Sequence, residues 1–324
     1  MVTDMSEPGG FFRSDNFVSN ETSYQYVIAR LNAITPPGGV YVGVGPEQNF
    51  TYIVALRPKI AFVVDIRRQN MIQHLMYKAI FELSADRAEF LSRLFARPRP
   101  GGLDSASTPE ALFNGYYGVP PDTGLARRNF EAIRDKLVKG HGFALSNDDI
   151  KSLEYVFNHF LISGPDLSYS GGRGITLAQL MVTTDGQGVH RSFMASEENF
   201  RALKDFETNN LLVPLVGDFA GPKALRAVGQ YTRDRGAMVT TMYVSNVEQY
   251  LFQQQDDWRK FFGNVATMPL DSTSTFIRSV FGGSMRGSYA PGGSGSLLSS
   301  MTELLAAFTA GKILSYGDVI AISR

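Results

Sequence analysis

The chain has 324 residues, 31 basic and 31 acidic side chains, and no cysteine. Its length allows one large domain or two ordinary ones, and an apolar fraction of 44% is ample for a buried core. The balanced charge leaves no electrostatic footprint for nucleic acid or an anionic membrane, and the missing thiols exclude disulfides, a thiolate nucleophile and Cys-ligated metal sites.

Residues 1–36 read as an N-terminal arm and helix. The opening "MVTDMSEPGGFFRSDNF" has no basic n-region and no apolar h-region, so no signal peptide is expected. No uninterrupted apolar stretch reaches membrane-spanning length, and the expectation is a soluble, cytoplasmic protein. "SNETSYQYVIARLNAI" predicts a helix, with Ser19 or Asn20 as cap, Glu21 at its positive end, and Tyr24, Val27, Ile28 and Leu31 at helical spacing. "TPPGG" then turns the chain into a first strand, Val40–Val44. A second, Ile60–Val64, is apolar throughout, as a parallel strand covered on both faces should be.

"RRQNMIQHLMYKAIFELSADRAEFLSRLFA" predicts one long helix or two, and residues 84–188 read as a mainly helical insertion. In it, "SNDDIKSLEYVFNHFLI" carries a good helix start at Ser146. Alternation returns from residue 189. "HRSFMAS" predicts a third strand, "LLVPLVGDF" a fourth, "AMVTTMYVSN" a fifth and "NVATMPL" another, with helices between them. Residues 282–300 read as a mobile Gly/Ser-rich loop, "SMTELLAAFTAG" as a helix and "GDVIAISR" as a final strand. The fold class is therefore α/β: a Rossmann-like, doubly wound, mostly parallel sheet with helices on both faces, formed by 37–83 and 189–324.

In such sheets ligands sit outside the carboxyl ends of the strands, at the switch point. The first strand ends in "GVGPEQN", where Gly43 and Gly45 permit a tight turn and close approach of a ligand. Pro46 removes an N–H that a phosphate cradle would use, and Glu47 sets a negative charge at the mouth. The pair disfavours a pyrophosphate and suits a nucleoside without phosphates. Asp65, ending the second strand, stands where a carboxylate accepts ribose hydroxyls. Asp218 ends the predicted fourth strand and Ser245 and Asn246 the fifth, all beside the same crevice. Each has a plainer reading as a helix cap. Arg67 and Arg68 follow Asp65 and could clamp an anionic substrate or form a solvated face. Tyr24 or Tyr26 could belong to a lid.

The order of Gly-x-Gly turn, acidic strand end, "LVGDF" and "MYVSN" resembles the class I methyltransferases that use S-adenosylmethionine. The resemblance implies that the turn at Gly43 and Gly45 passes under the amino-acid part of the cofactor and that Asp65 holds its ribose. It also implies that the end of the fourth strand, at Asp218 and Phe219, borders the reacting methyl group. The turn departs from that superfamily's pattern where Tyr41 replaces an acidic residue and Glu47 a small one. The strings "GVGPEQNFTYI", "DIRRQN", "FELSADRAEFLSRLF" and "SNVEQYL" also resemble a bacterial family without an assigned activity, over nearly the whole chain.

A methyltransferase mainly positions two reactants, with a general base only for a protic acceptor, and Asp218 or Glu47 are the candidates. The histidines 74, 141, 159 and 190 show no zinc-binding spacing, so no metal is expected. There is no G-x-S-x-G elbow and no P-loop lysine. Three readings stay open: a methyltransferase for a small-molecule acceptor, an NAD(P)-binding oxidoreductase, or a non-catalytic Rossmann-like protein that has lost its cofactor. Neither a nucleic-acid nor a membrane partner is expected, and the oligomeric state is left open.

Overall fold

The computed structural model describes residues 1–169, 174–281 and 294–323. Its centre is a six-stranded sheet in the order β3-β2-β1-β4-β5-β6. The strands are β1 (Val40–Gly43), β2 (Ile60–Asp65), β3 (Leu212–Val216), β4 (Val239–Ser245), β5 (Thr275–Phe281) and β6 (Ser294–Ser300). The first five run parallel, and β6 pairs antiparallel with β5.

Alternation along each strand feeds two apolar layers. Tyr41, Ala61, Val63, Tyr243 and Ile277 pack into one, under the helices Gln48–Leu56, Arg68–Leu83 and Glu197–Thr208. Val42, Phe62, Val64, Leu215, Met242 and Phe276 pack into the other, against Ala224–Asp234, Asp257–Val265 and Met301–Thr309. Both faces of the sheet are thus buried, which is why β1 to β3 read as apolar runs, while β4 buries Thr240 and Thr241 among its apolar residues. Among the described residues no helix is long and apolar enough to cross a membrane.

Several expectations are corrected. "HRSFMAS" is not a strand: Phe193 and Met194 plug the helical layer from a turn, with Phe193 N–H donating to Thr51 Oγ1. "LVPLV" is therefore the third strand and "VTTMYVS" the fourth. "NVATMPL" begins as the end of a helix, and the strand lies later, at Thr275–Phe281. The stretch read as one helix from Val247 is two, Val247–Leu251 and Asp257–Val265. In the predicted 282–300 loop, Ser294–Ser300 is β6, and 282–293 lie outside the described residues. The chain ends in a helix, Tyr316–Ile322, closed by a Ser315–Asp318 capping box.

Residues 84–188 are mainly helical but have no core of their own. Phe90 packs on Phe81 and Phe200, and Leu153 and Val156 join the same apolar layer as the sheet. The first long helix is also shorter than expected, Ile28–Ile34. Residues 19–25 bend instead: Ser19 Oγ accepts the Glu21 N–H, and Glu21, Thr22, Ser23 and Gln25 bury their side chains in hydrogen bonds to distant elements. Such bonds compete with the helix ladder.

A candidate ligand site at the carboxyl ends of the strands

The strand order reverses between β1 and β4, and a cavity of about 690 Å³ opens there at their carboxyl ends. Gly45, Asp65, Asp218, Phe219, Ser245 and Asn246 all line it. Sequence positions spread over some two hundred residues therefore meet on one wall.

The glycine turn is held from behind. Asn49 Nδ2 donates to the carbonyls of Val44 (2.9 Å), Gly45 (3.2 Å) and Pro46 (2.7 Å), and its Oδ1 accepts the Tyr41 hydroxyl at 2.9 Å. His74 Nε2 sits 2.9 Å from the Gly45 carbonyl and donates to it. Burial lowers the His74 pKa to about 4, so its ring is neutral at ordinary pH. The two glycines serve different ends. A Cβ on Gly43 would lie 1.9 Å from Asn49 Oδ1, so that glycine makes room for the brace. Gly45 has a φ of 76° with open space around it, so its need is conformational.

Glu47 does not stand at the mouth as expected. It turns into the helical layer at the start of Gln48–Leu56, where Oε1 accepts the Ser19 N–H at 3.1 Å and Oε2 has no partner. Burial raises its pKa to about 7. Gln48, the next residue, takes the place on the cavity wall. Tyr24 is likewise withdrawn: its ring is in the core and its hydroxyl donates to Leu180 O at 3.0 Å.

Asp65 lies on the wall but is already engaged. Oδ1 accepts Arg67 N–H (2.9 Å) and Nε (3.0 Å), and Oδ2 accepts Nη2 (2.9 Å). Arg67 spends its remaining nitrogen, Nη1, on the carbonyls of Ser14 and Asp15, so it clamps the N-terminal arm. Arg68 pairs with Asp149 on the neighbouring helix at 2.6 Å. Asp218 Oδ1 accepts Ala220 N–H at 2.9 Å, closing a local turn, and Phe219 stacks on Phe261. Ser245 ends β4 at a register shift with a φ of 50°, a strained conformation for a serine. Asn246 opens the next helix without a side-chain cap bond and lines the cavity.

Sequence reasoning expected an N-terminal arm but missed what it does. Residues 6–23 run across the strand ends as a strap. Glu7 accepts the N–H groups of Asp218, Lys223 and Ala224 beyond β3, and Gly10 N–H donates to Ile66 O beyond β2. Ser19 reaches Glu47 beyond β1, and Thr22 N–H donates to Ser294 Oγ on β6. Between them Phe12, Arg13 and Asn16 line the cavity. Glu21 is fixed at its floor by Gln48 Nε2 (2.8 Å), Tyr243 OH (2.7 Å), Ser245 Oγ (2.5 Å) and Ser279 Oγ. The one local signal was a polar run, "SNETSYQ", with no basic residue in it.

The family described as a domain of unknown function, DUF7790, matches residues 16–101 and 175–309. The chain belongs to that family, and the two matched stretches hold the whole sheet while passing over residues 102–174. Among curated proteins there is no match.

Proposed function

We propose that this member of the DUF7790 family is an S-adenosylmethionine-dependent methyltransferase on a doubly wound, Rossmann-like sheet, acting in the cytoplasm on a small-molecule acceptor. The observation that carries the reading is the convergence of the braced Gly45 turn, Asp65, Ser245 and Asn246 on one cavity at the switch point. A volume of about 690 Å³ lies inside the usual span for drug-sized ligands.

The residues fit the cofactor in kind. Three hydrogen bonds leave Asp65 one of its roughly four lone-pair positions for a ribose hydroxyl. Asn49 and His74 hold the turn's carbonyls, so Gly45 and Pro46 present a rigid surface. When bound, the cofactor supplies an electrophilic methyl group on a sulfonium. The chain's own part is to orient and to exclude water, with Phe12 and Tyr250 in edge contact at 5.4 Å in the cavity lining. Because "VTTMYVS" is the fourth strand, Ser245 and Asn246 take the place beside the reacting end that the resemblance had given to Asp218 and Phe219. Asp218 remains the wall carboxylate available as base for a protic acceptor. Pro46 and the antiparallel β6 weigh against a dinucleotide, whose sheet repeats two parallel halves.

A second reading, a Rossmann-like protein without cofactor, is favoured by the engagement of Asp65 with Arg67. Thermal-shift titration separates the two. S-adenosylhomocysteine at a hundredfold excess over its Kd should raise Tm by about 4 °C for a chain of this size. Asn246→Ala should reduce that shift. Absence of any shift with S-adenosylmethionine, S-adenosylhomocysteine, NAD or NADP favours the second reading.

A further inference from the structure

The buried carboxylates differ in their partners, and Asp149 and Asp185 pair with the more exposed Arg68 and Arg191. Glu248, Glu197, Glu82 and Asp65 are each paired with a buried cation, Arg278, Arg87, Lys78 and Arg67. Glu21, Glu47 and Glu207 have no cation within ion-pair distance among the described residues. Glu47 and Glu207 also leave carboxylate oxygens without hydrogen bonds, as neutral acids can, and neither lines the large cavity.

Glu21 differs from both. It is 1% exposed, yet both its oxygens are met by donors: Tyr243 OH and Ser245 Oγ on one, Gln48 Nε2 and Ser279 Oγ on the other. Four donors around four lone pairs is the arrangement for an anion. All four are neutral, so the charge they solvate has no counter-ion among the described residues. Ser245 holds its place in that ring with a strained backbone, φ 50°. Alone among the three unpaired carboxylates, Glu21 lines the cavity.

The geometry points to Glu21 as the residue that selects a positively charged ligand, the missing counter-ion being a sulfonium or ammonium centre in the cavity. This rests on the reading of the cavity as an S-adenosylmethionine site and adds the feature by which the site tells charged from neutral adenosyl compounds. Burial outweighs the four hydrogen bonds and holds the Glu21 carboxyl above its ordinary value, and an arriving cation favours the ionised form. The walls agree in sign. Asp65, Asp218 and Glu21 line the cavity with Arg13 and Arg67, and Arg67 is consumed by Asp65 and the arm.

The test is calorimetric titration of the full chain and of Glu21→Gln with three probes. S-adenosylmethionine carries sulfonium and ammonium, S-adenosylhomocysteine the ammonium alone, and 5′-methylthioadenosine neither. If Glu21 reads the sulfonium, Glu21→Gln weakens S-adenosylmethionine on the order of tenfold or more and spares the other two. If it reads the ammonium, the first two weaken together and methylthioadenosine is spared. Equal weakening of all three, or no change, overturns the inference while leaving the cofactor reading standing. Failure of all three to bind the unaltered protein overturns both. Should Glu21→Gln not fold by circular dichroism, Ser279→Ala keeps the carboxylate and frees one of its lone pairs. That variant should raise severalfold the preference for S-adenosylmethionine over methylthioadenosine, and a fall would overturn the inference.

Discussion

Glu47→Gln separates a carboxylate at the cavity mouth from one in the core. In the folded protein burial holds the Glu47 pKa at about 7, against 4.5 for the exposed group. A raised folded pKa means that the native state keeps a proton the unfolded chain releases. The stability this residue contributes is fully present below about pH 4.5 and is lost as pH rises through about 7. A shift of that size, at about 1.4 kcal/mol per pH unit, corresponds to about 3 kcal/mol over the whole window. Between pH 5 and 8.5 about 2–3 kcal/mol of it is lost. Glutamine keeps an acceptor for the Ser19 N–H but does not ionise, so urea unfolding of the variant should lack this loss. The quantity to measure is the stability difference between variant and parent at the two pH values. It should move in the variant's favour by the amount above on going to pH 8.5. Parallel pH–stability curves for the two proteins would refute the reasoning, because they would mean a solvated carboxylate.

Glu207 is a stronger case of the same kind, since neither of its oxygens has a partner and its pKa is raised to about 8. Glu207→Gln should be more stable than the parent in urea at pH 9 and equal to it at pH 4. Arg67→Met should leave Asp65 buried without its cation and release the carbonyls of Ser14 and Asp15. It should cost about 3–5 kcal/mol and speed limited proteolysis within residues 8–20. Gly45→Ala should cost about 1–2 kcal/mol through its backbone conformation alone. Gly43→Ala should cost more, by driving a methyl into Asn49, and an equal or smaller loss of Tm would contradict the brace.

The four strands that carry the glycine turn, Asp65 and the end of β4 were legible because each is a mainly apolar run covered on both faces. β5 was not, because "TFIRSVF" has Arg278 at its middle, and its tertiary partners Glu248, Ser299 and Ser323 let a charge sit inside a sheet. β6, "SGSLLSS", hides its pairing under serines that hydrogen-bond to residues 22 and 23. One false strand, "HRSFMAS", displaced the numbering, so the role beside the reacting centre fell on Asp218 rather than Ser245. Wall residues that end strands could be read by position. Glu21 could not, because its burial depends on Ser279, 258 residues away along the chain.

The strap has a consequence for the order in which the molecule is made. Residues 6–23 leave the ribosome well before their partners on β5 and β6, with Thr22 and Ser294 separated by 272 residues. Closing so long a loop requires that the intervening elements first fold and bring the ends together. Until then Glu21 lacks its Ser279 donor, while the first four strands can already pair. The ring of donors around Glu21 is therefore complete only once β5 has joined, and a chain truncated before β5 would keep nearly all of the cavity lining but lack the Ser279 donor.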